Sequence, residues 1–245
     1  FFISRYPITN AQYKTFMDEG GYSQREYWKE AEQEKYWKEG TFKGKYDKNA
    51  RIAPVSYGEP FNLSNHPVVG ISWYEALAFV RWMDASLQRV GQLKLWKAKK
   101  SLALPKGYHI ALPSEAEWEK AARGTDGREY PWKGKFDSNK ANTGETGINS
   151  TSAVGCFPQG ESPFGLQELS GNVWEWTRSV YKEYPYDAGD GREDLNSSDY
   201  RVLRGGAFVN LQNFVRCAYR DWNFPDYWVS DLGFRVLVSP ILHRN

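Results

Sequence analysis

Three stretches of the chain combine helical spacing of apolar residues with a capping box, in which Ser or Thr is followed three residues later by Gln or Glu. The first helix is predicted to end at Gly20-Gly21, the second to run to about Val90, and the third to end before Gly124. The capping pairs are Thr9 and Gln12, Ser72 and Glu75, and Ser114 and Glu117.

Short apolar and aromatic runs, bounded by Gly, Pro or polar residues, predict strands between and after these helices. The runs are 1–8, 66–69, 109–113, 173–177, 200–203 and 234–239. Helical and strand-like runs follow each other without a regular repeat. The pattern therefore predicts a mixed, loop-rich fold.

Three connecting stretches differ in character. Residues 22–50 are rich in Glu, Lys, Tyr and Trp but poor in aliphatic residues, so we expect a surface insertion there, helical over about 23–39. Residues 91–106 are basic and predict an exposed connection. Residues 124–165 are a long irregular stretch, which must be held by its own hydrogen bonds or by an ion, or be functional.

Composition narrows the function classes. Aromatic residues make up 16% of the 245 residues, the net charge is +2, and there are two cysteines. Since no basic stripe stands out, we expect no nucleic-acid partner. Cys156 and Cys217 lack metal or redox spacing and do not form a disulfide framework. No run approaches the roughly 20 apolar residues of a membrane span. The chain begins at Phe1 without Met, so an upstream segment is conceivable and the sequence does not decide between cytoplasm and cell surface.

The stretch 201–237 has an unusual composition between its two strand-like ends. Large aromatic residues stand beside Asn, Asp and Ser without a period of 2 or 3.6. Rigid aromatic and small polar side chains on irregular backbone are typical of a binding surface. The alternative is a loop that folds back and buries its aromatic residues in the core. The mixed positions are Phe208, Val209, Asn210, Leu211, Asn213, Phe214, Asp221, Trp222, Phe224, Tyr227, Trp228, Val229, Ser230 and Asp231.

A turn at Gly171 precedes the strand that carries Trp174 and Trp176. Asn172 and Glu175 supply oxygen side chains next to backbone carbonyls, a donor set that suits a hard cation such as Ca²⁺. The alternative is that Asn172 caps its own turn and Glu175 pairs with an arginine.

Motifs for enzyme chemistry are missing from the sequence. His66, His109 and His243 are far apart and share no metal-ligand spacing, and no GxSxG, GxGxxG or phosphate-binding loop occurs. Cys217 has an arginine on either side, at 216 and 220, which is a weak indication of a reactive thiol.

Taken in order, several motifs resemble the formylglycine-generating enzyme (sulfatase-modifying factor) family over nearly the whole chain. The resemblance implies one domain over 1–245 of the α+β class. Its fold would be C-type-lectin-like, with small twisted mixed or antiparallel sheets, two main helices and much irregular loop. It also implies Ca²⁺ in the loops. The motifs are 7–13, 66–76, 112–124, 130–132, 171–177, 204–206 and 233–235.

Two departures from the family pattern affect activity and metal binding. Formylglycine-generating enzymes hold copper between two cysteines shortly after the RGG motif, but residues 207–214 contain none. Because Cu(I) needs such thiolates, we expect no copper and predict that the chain is not an enzyme. The family's calcium positions resemble Asn172, Val173 and Glu175. A second site resembles Asn142 and Thr143, with Thr146 where Asp is usual.

A narrower resemblance is to the variable proteins of diversity-generating retroelements, whose last segment is mutated at template adenines. Mutated Asn codons give Asn, Asp, Tyr, Phe, Val, Leu or Ser, and AGG-type Arg codons give Trp, Arg or Gly; the mixture across 220–235 fits such a template. The resemblance implies a variable ligand-binding segment at 204–235, with a hypervariable surface at about 208–231. Its partner would be an unknown protein or surface ligand. The alternatives are an oxidase of the formylglycine-generating type and a non-catalytic structural or regulatory domain.

Overall fold

The computed structural model describes residues 1–90 and 106–240 of the chain. All three predicted capping boxes are confirmed, because in each the Ser or Thr side chain accepts a hydrogen bond from the backbone N–H three residues on. The helices are α1 (Asn10–Asp18), α2 (Lys29–Gln33), α3 (Trp73–Val90) and α4 (Glu115–Arg123).

The described residues form short strands in three sheets, so the predicted α+β class with small sheets is confirmed. One sheet has the antiparallel order β1-β9-β4, a second is the β2-β3 hairpin, and the third has the order β7-β6-β5-β8, with β5 and β8 parallel. The strands are β1 (Phe2–Ile3), β2 (Trp37–Lys38), β3 (Thr41–Phe42), β4 (His109–Ala111), β5 (Trp174–Val180), β6 (Arg201–Arg204), β7 (Arg220–Asn223), β8 (Leu232–Phe234) and β9 (Leu237–Ser239).

The main core lies between α1, α3 and one face of the mixed sheet. Phe79 of α3 stacks on Tyr13 of α1 at 5.5 Å and meets Phe234 of β8 edge-on at 5.3 Å. Trp73 donates its indole N–H to the Thr177 carbonyl at 2.9 Å. Rings from both helices therefore fix the sheet whose strands β6, β7 and β8 carry the stretch 201–237.

The surface insertion predicted for residues 22–50 is wrong in its packing. Tyr22, Tyr27, Trp28, Trp37 and Phe42 are buried in the main core, and only Lys29–Gln33 of the predicted helix is α-helical. Aromatic rings fill the volume that aliphatic side chains fill elsewhere. The scarcity of aliphatic residues therefore did not mean exposure.

The strand predicted at 66–69 is also wrong, since this segment forms an isolated bridge between Thr9 and Pro67 and no strand. Pro67 lacks the N–H that a ladder needs. The basic stretch 91–106 lies outside the described residues except for its last residue.

Candidate ligand-binding surface

In the stretch 201–237, the fourteen mixed positions differ in burial from the runs that flank them. Of the fourteen mixed positions, all within the described part of the chain, only Phe208 is buried. We call the fourteen the variable surface. The exposed apolar members are Val209 (55% exposed), Leu211 (54%), Phe214 (40%), Trp222 (41%) and Phe224 (40%). Among the other residues of 208–231, only Val215, Cys217, Pro225 and Asp226 are buried, whereas the flanking runs 201–207 and 232–237 are buried throughout.

Phe208 differs from the other members because it faces the fold. Its ring packs against Phe61 at 5.8 Å, and its backbone N–H donates to the Asn172 carbonyl at 3.1 Å. A side chain that is 4% exposed cannot contact a ligand without rearrangement. The variable surface therefore begins in effect at Val209.

Gly205 and Gly206 make the turn that starts the segment. Both have left-handed φ angles, 98° and 70°. A Cβ at Gly206 would lie 2.6 Å from Val215 Cγ1 and 3.0 Å from the Phe214 carbonyl oxygen. The turn therefore requires glycine both for its conformation and for the close approach of the returning chain.

Buried arginines hold the backbone of the segment to the scaffold. Glu115, at the start of α4, receives hydrogen bonds from both Arg204 and Arg220. Arg204 also donates to Glu119 at 2.5 Å and to the Cys217 carbonyl at 2.7 Å. Two strands and the connection between them are thus tied to one helix by charge-assisted bonds.

Residues 225–227, towards the end of the variable surface, contact the start of α3 and residues 41–51. Pro225 accepts a hydrogen bond from the Trp73 N–H at 2.9 Å, and the buried Asp226 side chain accepts one from the Lys45 N–H at 2.7 Å. Tyr46 meets the ring of Tyr227 edge-on at 5.8 Å. The segment predicted as an insertion therefore borders the variable surface.

Strand β7 forms one end of its sheet. Side chains of the strand accept hydrogen bonds from the N–H of Trp222 and from that of Phe224, the residue just after the strand. Trp222 N–H donates to the Asp221 carboxylate at 2.8 Å, and Phe224 N–H donates to the Asn223 side-chain oxygen at 3.0 Å. The strand thus presents its aromatic side chains while these two N–H groups are satisfied locally.

Carboxylates and tyrosines meet at the other end of the variable surface. Burial raises the pKa of Asp231, and the nearby Asp221 carboxylate raises it further. Burial, followed by the charges of Tyr227 and Asp231, raises the pKa of Tyr57 to about 12.

In the turn at 171–175, Glu175 pairs with an arginine, as the alternative to a calcium site predicts, whereas Asn172 bonds Ser152 and does not cap its own turn. Gly171 and Asn172 have φ angles of 78° and 65°. The Asn172 side chain accepts from the Ser152 N–H at 2.9 Å and donates to the Ser152 carbonyl at 3.2 Å. Glu175 is fully buried and accepts from Arg235 at 2.6 and 2.7 Å and from the Trp118 indole at 2.6 Å.

The second predicted calcium position has similar geometry. Asn142 donates to the Ser150 carbonyl at 2.9 Å and accepts from the Thr146 hydroxyl at 3.2 Å. The Thr143 hydroxyl is buried without a hydrogen-bond partner among the described residues. Within 1–90 and 106–240, no group of three or more His, Cys, Asp or Glu side chains is placed to hold a metal. The side chains of Asn172 and Glu175 are engaged with protein groups and do not fit a calcium ion as they stand. At Val173 only the backbone carbonyl could be a ligand. Calcium binding stays a prediction.

Glu168 is a buried residue of this region that the sequence reasoning missed. Its φ angle is 60°, one carboxylate oxygen accepts from the Gly155 N–H at 2.8 Å, and the other has no partner among the described residues. Burial raises its pKa to about 7. Nothing in the run Leu166 to Ser170 distinguishes this carboxylate from an exposed one.

The candidate reactive groups are not activated. Burial raises the pKa of the Cys217 thiol to about 12, which opposes thiolate formation, so the weak sequence indication of reactivity is wrong. His66 is buried beside the Thr151 hydroxyl at 3.0 Å, and burial lowers its pKa. His109 pairs with Asp84 at 3.0 Å. His243 lies outside the described residues.

Residues 1–240 match the sulfatase-modifying factor enzyme 1-like domain family, so the chain belongs to that family. The match spans the turn at 171–175, the RGG motif and the whole variable surface. The predicted membership of the formylglycine-generating enzyme type is therefore confirmed.

Two relatives show the range of the family. The chain is 28% identical to the hercynine oxygenase of Mycolicibacterium thermoresistibile, over 92% of this chain and 48% of that protein. It is 27% identical to the mouse (Mus musculus) formylglycine-generating enzyme, over 96% of this chain and 65% of that protein. The chain therefore spans about half to two thirds of the length of these relatives.

One solved structure that has the same fold is named as a variable protein. Treponema denticola variable protein 1 superposes with a TM-score of 0.64 at 20% identity, over 98% of this chain and 84% of that one. At this identity the likeness concerns the fold. It confirms the C-type-lectin-like arrangement that the sequence predicts.

The prediction that the chain is not an enzyme is contradicted. The curated relatives named above are enzymes, at 28% and 27% identity. The prediction rested on the missing cysteine pair. That pair serves only the copper chemistry of formylglycine-generating enzymes, whereas the relatives named above include a second kind of enzyme. Separately, none of the helices in the described part of the chain has the length and apolar character needed to cross a membrane.

Proposed function

We propose that the chain is a ligand-binding variable protein of a diversity-generating retroelement, which displays a hypervariable surface at about 208–231 on a C-type-lectin-like frame. The observation that carries the proposal is the burial pattern. Thirteen of the fourteen positions chosen for their residue mixture are exposed or half-exposed, whereas the runs that flank them, 201–207 and 232–237, are buried throughout. A loop folded back onto the core would bury its aromatic side chains instead.

The surface offers both kinds of contact that recognition needs. Trp222, Phe224, Tyr227 and Trp228 are the proposed anchors, worth roughly 1 kcal/mol or more apiece at the centre of an interface. Asp221, Asn210, Ser230 and Asp231 are the proposed specificity groups. The partner is an unidentified protein or surface ligand.

The test is to sequence the 3′ part of the gene across many isolates of the source organism. We expect substitutions to concentrate at codons 208–231 and to trace to template adenines. The codons of the buried pieces, such as Val215, Cys217 and Pro225, serve as the internal control and should stay constant. Substitutions that are absent, or as frequent in codons 1–200, would contradict the proposal.

The names of the relatives favour a second candidate, an oxidation that uses molecular oxygen. Residues 207–214 contain no cysteine, so such an activity would use a different centre from a copper dithiolate. The test is oxygen consumption with copper and a Cys-containing peptide, and with iron and hercynine. A metal-dependent rate above that of a heat-denatured control supports this candidate, and its absence in both assays rejects it.

A further inference from the structure

The tightest aromatic contacts of the variable surface involve a residue outside it. The ring of Tyr200 lies 3.9 Å from that of Trp222 and 4.4 Å from that of Phe224, centroid to centroid. The pairing of Arg201 with Asn223 explains this proximity, because the next step of the same register places Tyr200 opposite Phe224. Cross-strand aromatic neighbours of this kind stabilise each other.

The backbone around Tyr200 is held firmly. Its carbonyl accepts from the Tyr181 N–H at 2.8 Å. The next residue, Arg201, is fully buried, stacks 4.0 Å over Trp73, and donates to the carbonyls of Arg178, Asp194, Leu195 and Ser197. Tyr200 is therefore presented by a rigid segment, which lowers the entropy lost on binding.

A second tyrosine borders the same group of rings. Tyr181 lies 6.3 Å from Trp222, and the Arg220 guanidinium covers its ring at 4.5 Å. Tyr181 and Tyr200 are both half-buried, whereas Trp222 and Phe224 are 41% and 40% exposed. Two residues outside the variable surface thus form the base on which two variable aromatic residues stand.

We propose that Tyr200 and Tyr181 are constant members of the ligand-binding surface, which hold the residues at 222 and 224 and pack against an apolar side chain of a protein ligand. The inference rests on the proposed function. The rings of Trp222 and Phe224 are tilted by 43° and 51° to that of Tyr200, so each forms a wedge with Tyr200 and not one flat face. A wedge accepts a protruding side chain, whereas a sugar ring stacks on a flat aromatic face.

The experiment uses the full chain on the surface of yeast, with eleven positions of the variable surface randomised and the buried Phe208, Trp222 and Phe224 kept. Binders are selected against hen lysozyme as the probe. Each binder then receives Tyr200→Ala, Tyr200→Phe, Tyr181→Ala or, as the matched control, Tyr184→Ala. Tyr184 belongs to the same loop as Tyr181 and packs on the same Arg220 guanidinium, at 4.4 Å, so it controls for the loss of that contact.

We expect Tyr200→Ala to raise Kd about tenfold or more and Tyr181→Ala about threefold, with Tyr200→Phe and Tyr184→Ala within about twofold of the parent binder. Tm values of the purified binders separate lost contacts from unfolding. An unchanged Kd for both Tyr200→Ala and Tyr181→Ala overturns this inference and leaves the proposed function standing. A library that yields no binder at all contradicts the proposed function itself.

Discussion

The variable surface and the turn at 171–175, with Glu168 just before it, are neighbours joined by backbone hydrogen bonds. Their side chains differ, because those of the turn bond to other protein groups and those of the surface face outward. Gly171 N–H donates to the Gly205 carbonyl at 2.9 Å, next to the first variable residues. In the turn, the side chains of Asn172 and Glu175 are engaged by protein groups. On the surface, exposed rings make few polar contacts. The comparison indicates that the backbone beneath the exposed side chains is held in place by other residues.

Removing the Arg235 guanidinium, which pairs with Glu175 of the turn, should have the largest effect on stability. Arg235→Met leaves the Glu175 carboxylate buried without its guanidinium, and breaking such a pair costs about 3–5 kcal/mol. Urea denaturation measures the change. The matched control is Arg216→Met, because that side chain is 41% exposed and should change stability by less than about 0.5 kcal/mol. A loss below about 1 kcal/mol for Arg235→Met would show that the turn is not held as described.

Removing the buried Glu168 carboxylate, one of whose oxygens has no hydrogen-bond partner among the described residues, should stabilise the protein. The folded pKa of Glu168 is about 7 against an ordinary 4.5, so the folded state binds the proton more tightly than the unfolded state. This group's contribution therefore becomes unfavourable as pH rises from about 4.5 to 7, by up to about 3 kcal/mol.

We expect Glu168→Gln to raise the free energy of unfolding at pH 8 and to flatten its fall between pH 5 and 8, measured by urea denaturation with EDTA present. Glu161→Gln is the control, since that side chain is 51% exposed and should leave the pH slope unchanged. Equal slopes for wild type and Glu168→Gln would contradict the assignment.

Two glycines with the same φ angle, Gly206 and Gly147, test whether the close approach of the chain at the start of the variable surface matters for stability. Gly206→Ala should cost about 2 kcal/mol or more, because the new Cβ adds a clash with Val215 to the left-handed φ. Gly147→Ala has the same φ of 70° but meets nothing within 4 Å, so it should cost only about 1 kcal/mol. Thermal denaturation of both variants checks the difference, and equal losses would remove the argument for the close approach.

The smallest effect is expected on the surface itself. Trp222→Ala should change the free energy of unfolding by less than about 1 kcal/mol, because the side chain is 41% exposed. Trp176→Ala, from the core face of β5, should cost about 3–5 kcal/mol. If Trp222→Ala cost several kcal/mol, the aromatic residues would be structural and the loop alternative would be favoured.

Local signals predicted the parts of the fold that depend on neighbours in sequence. Each capping box needs residues three apart, and all three helices begin where Thr9, Ser72 and Ser114 predict. The family motifs predicted the fold. The residue mixture picked out fourteen positions of which thirteen are exposed or half-exposed, but on its own it left open whether they were exposed or buried.

Contacts between distant residues were beyond the reach of the sequence. The Glu175–Arg235 pair joins residues 60 apart, and the Tyr13 hydroxyl bonds that of Tyr22 inside a core that composition alone did not predict. Likewise, Glu168 is unusual only because the surrounding chain buries it, and Tyr200 reaches the surface only through its strand pairing.

The hydrogen bonds along β7 bear on solubility. A sheet edge with unpaired N–H groups invites another chain to add a strand, which is a route to aggregation. Here the side chains of Asp221 and Asn223 occupy the N–H groups of Trp222 and Phe224. Among the outcomes that an Asn codon diversified at adenine can give, Asn, Asp and Ser each carry an oxygen acceptor. Under the proposed function, those outcomes at position 221 would preserve a safeguard against self-association while they change what the surface recognises.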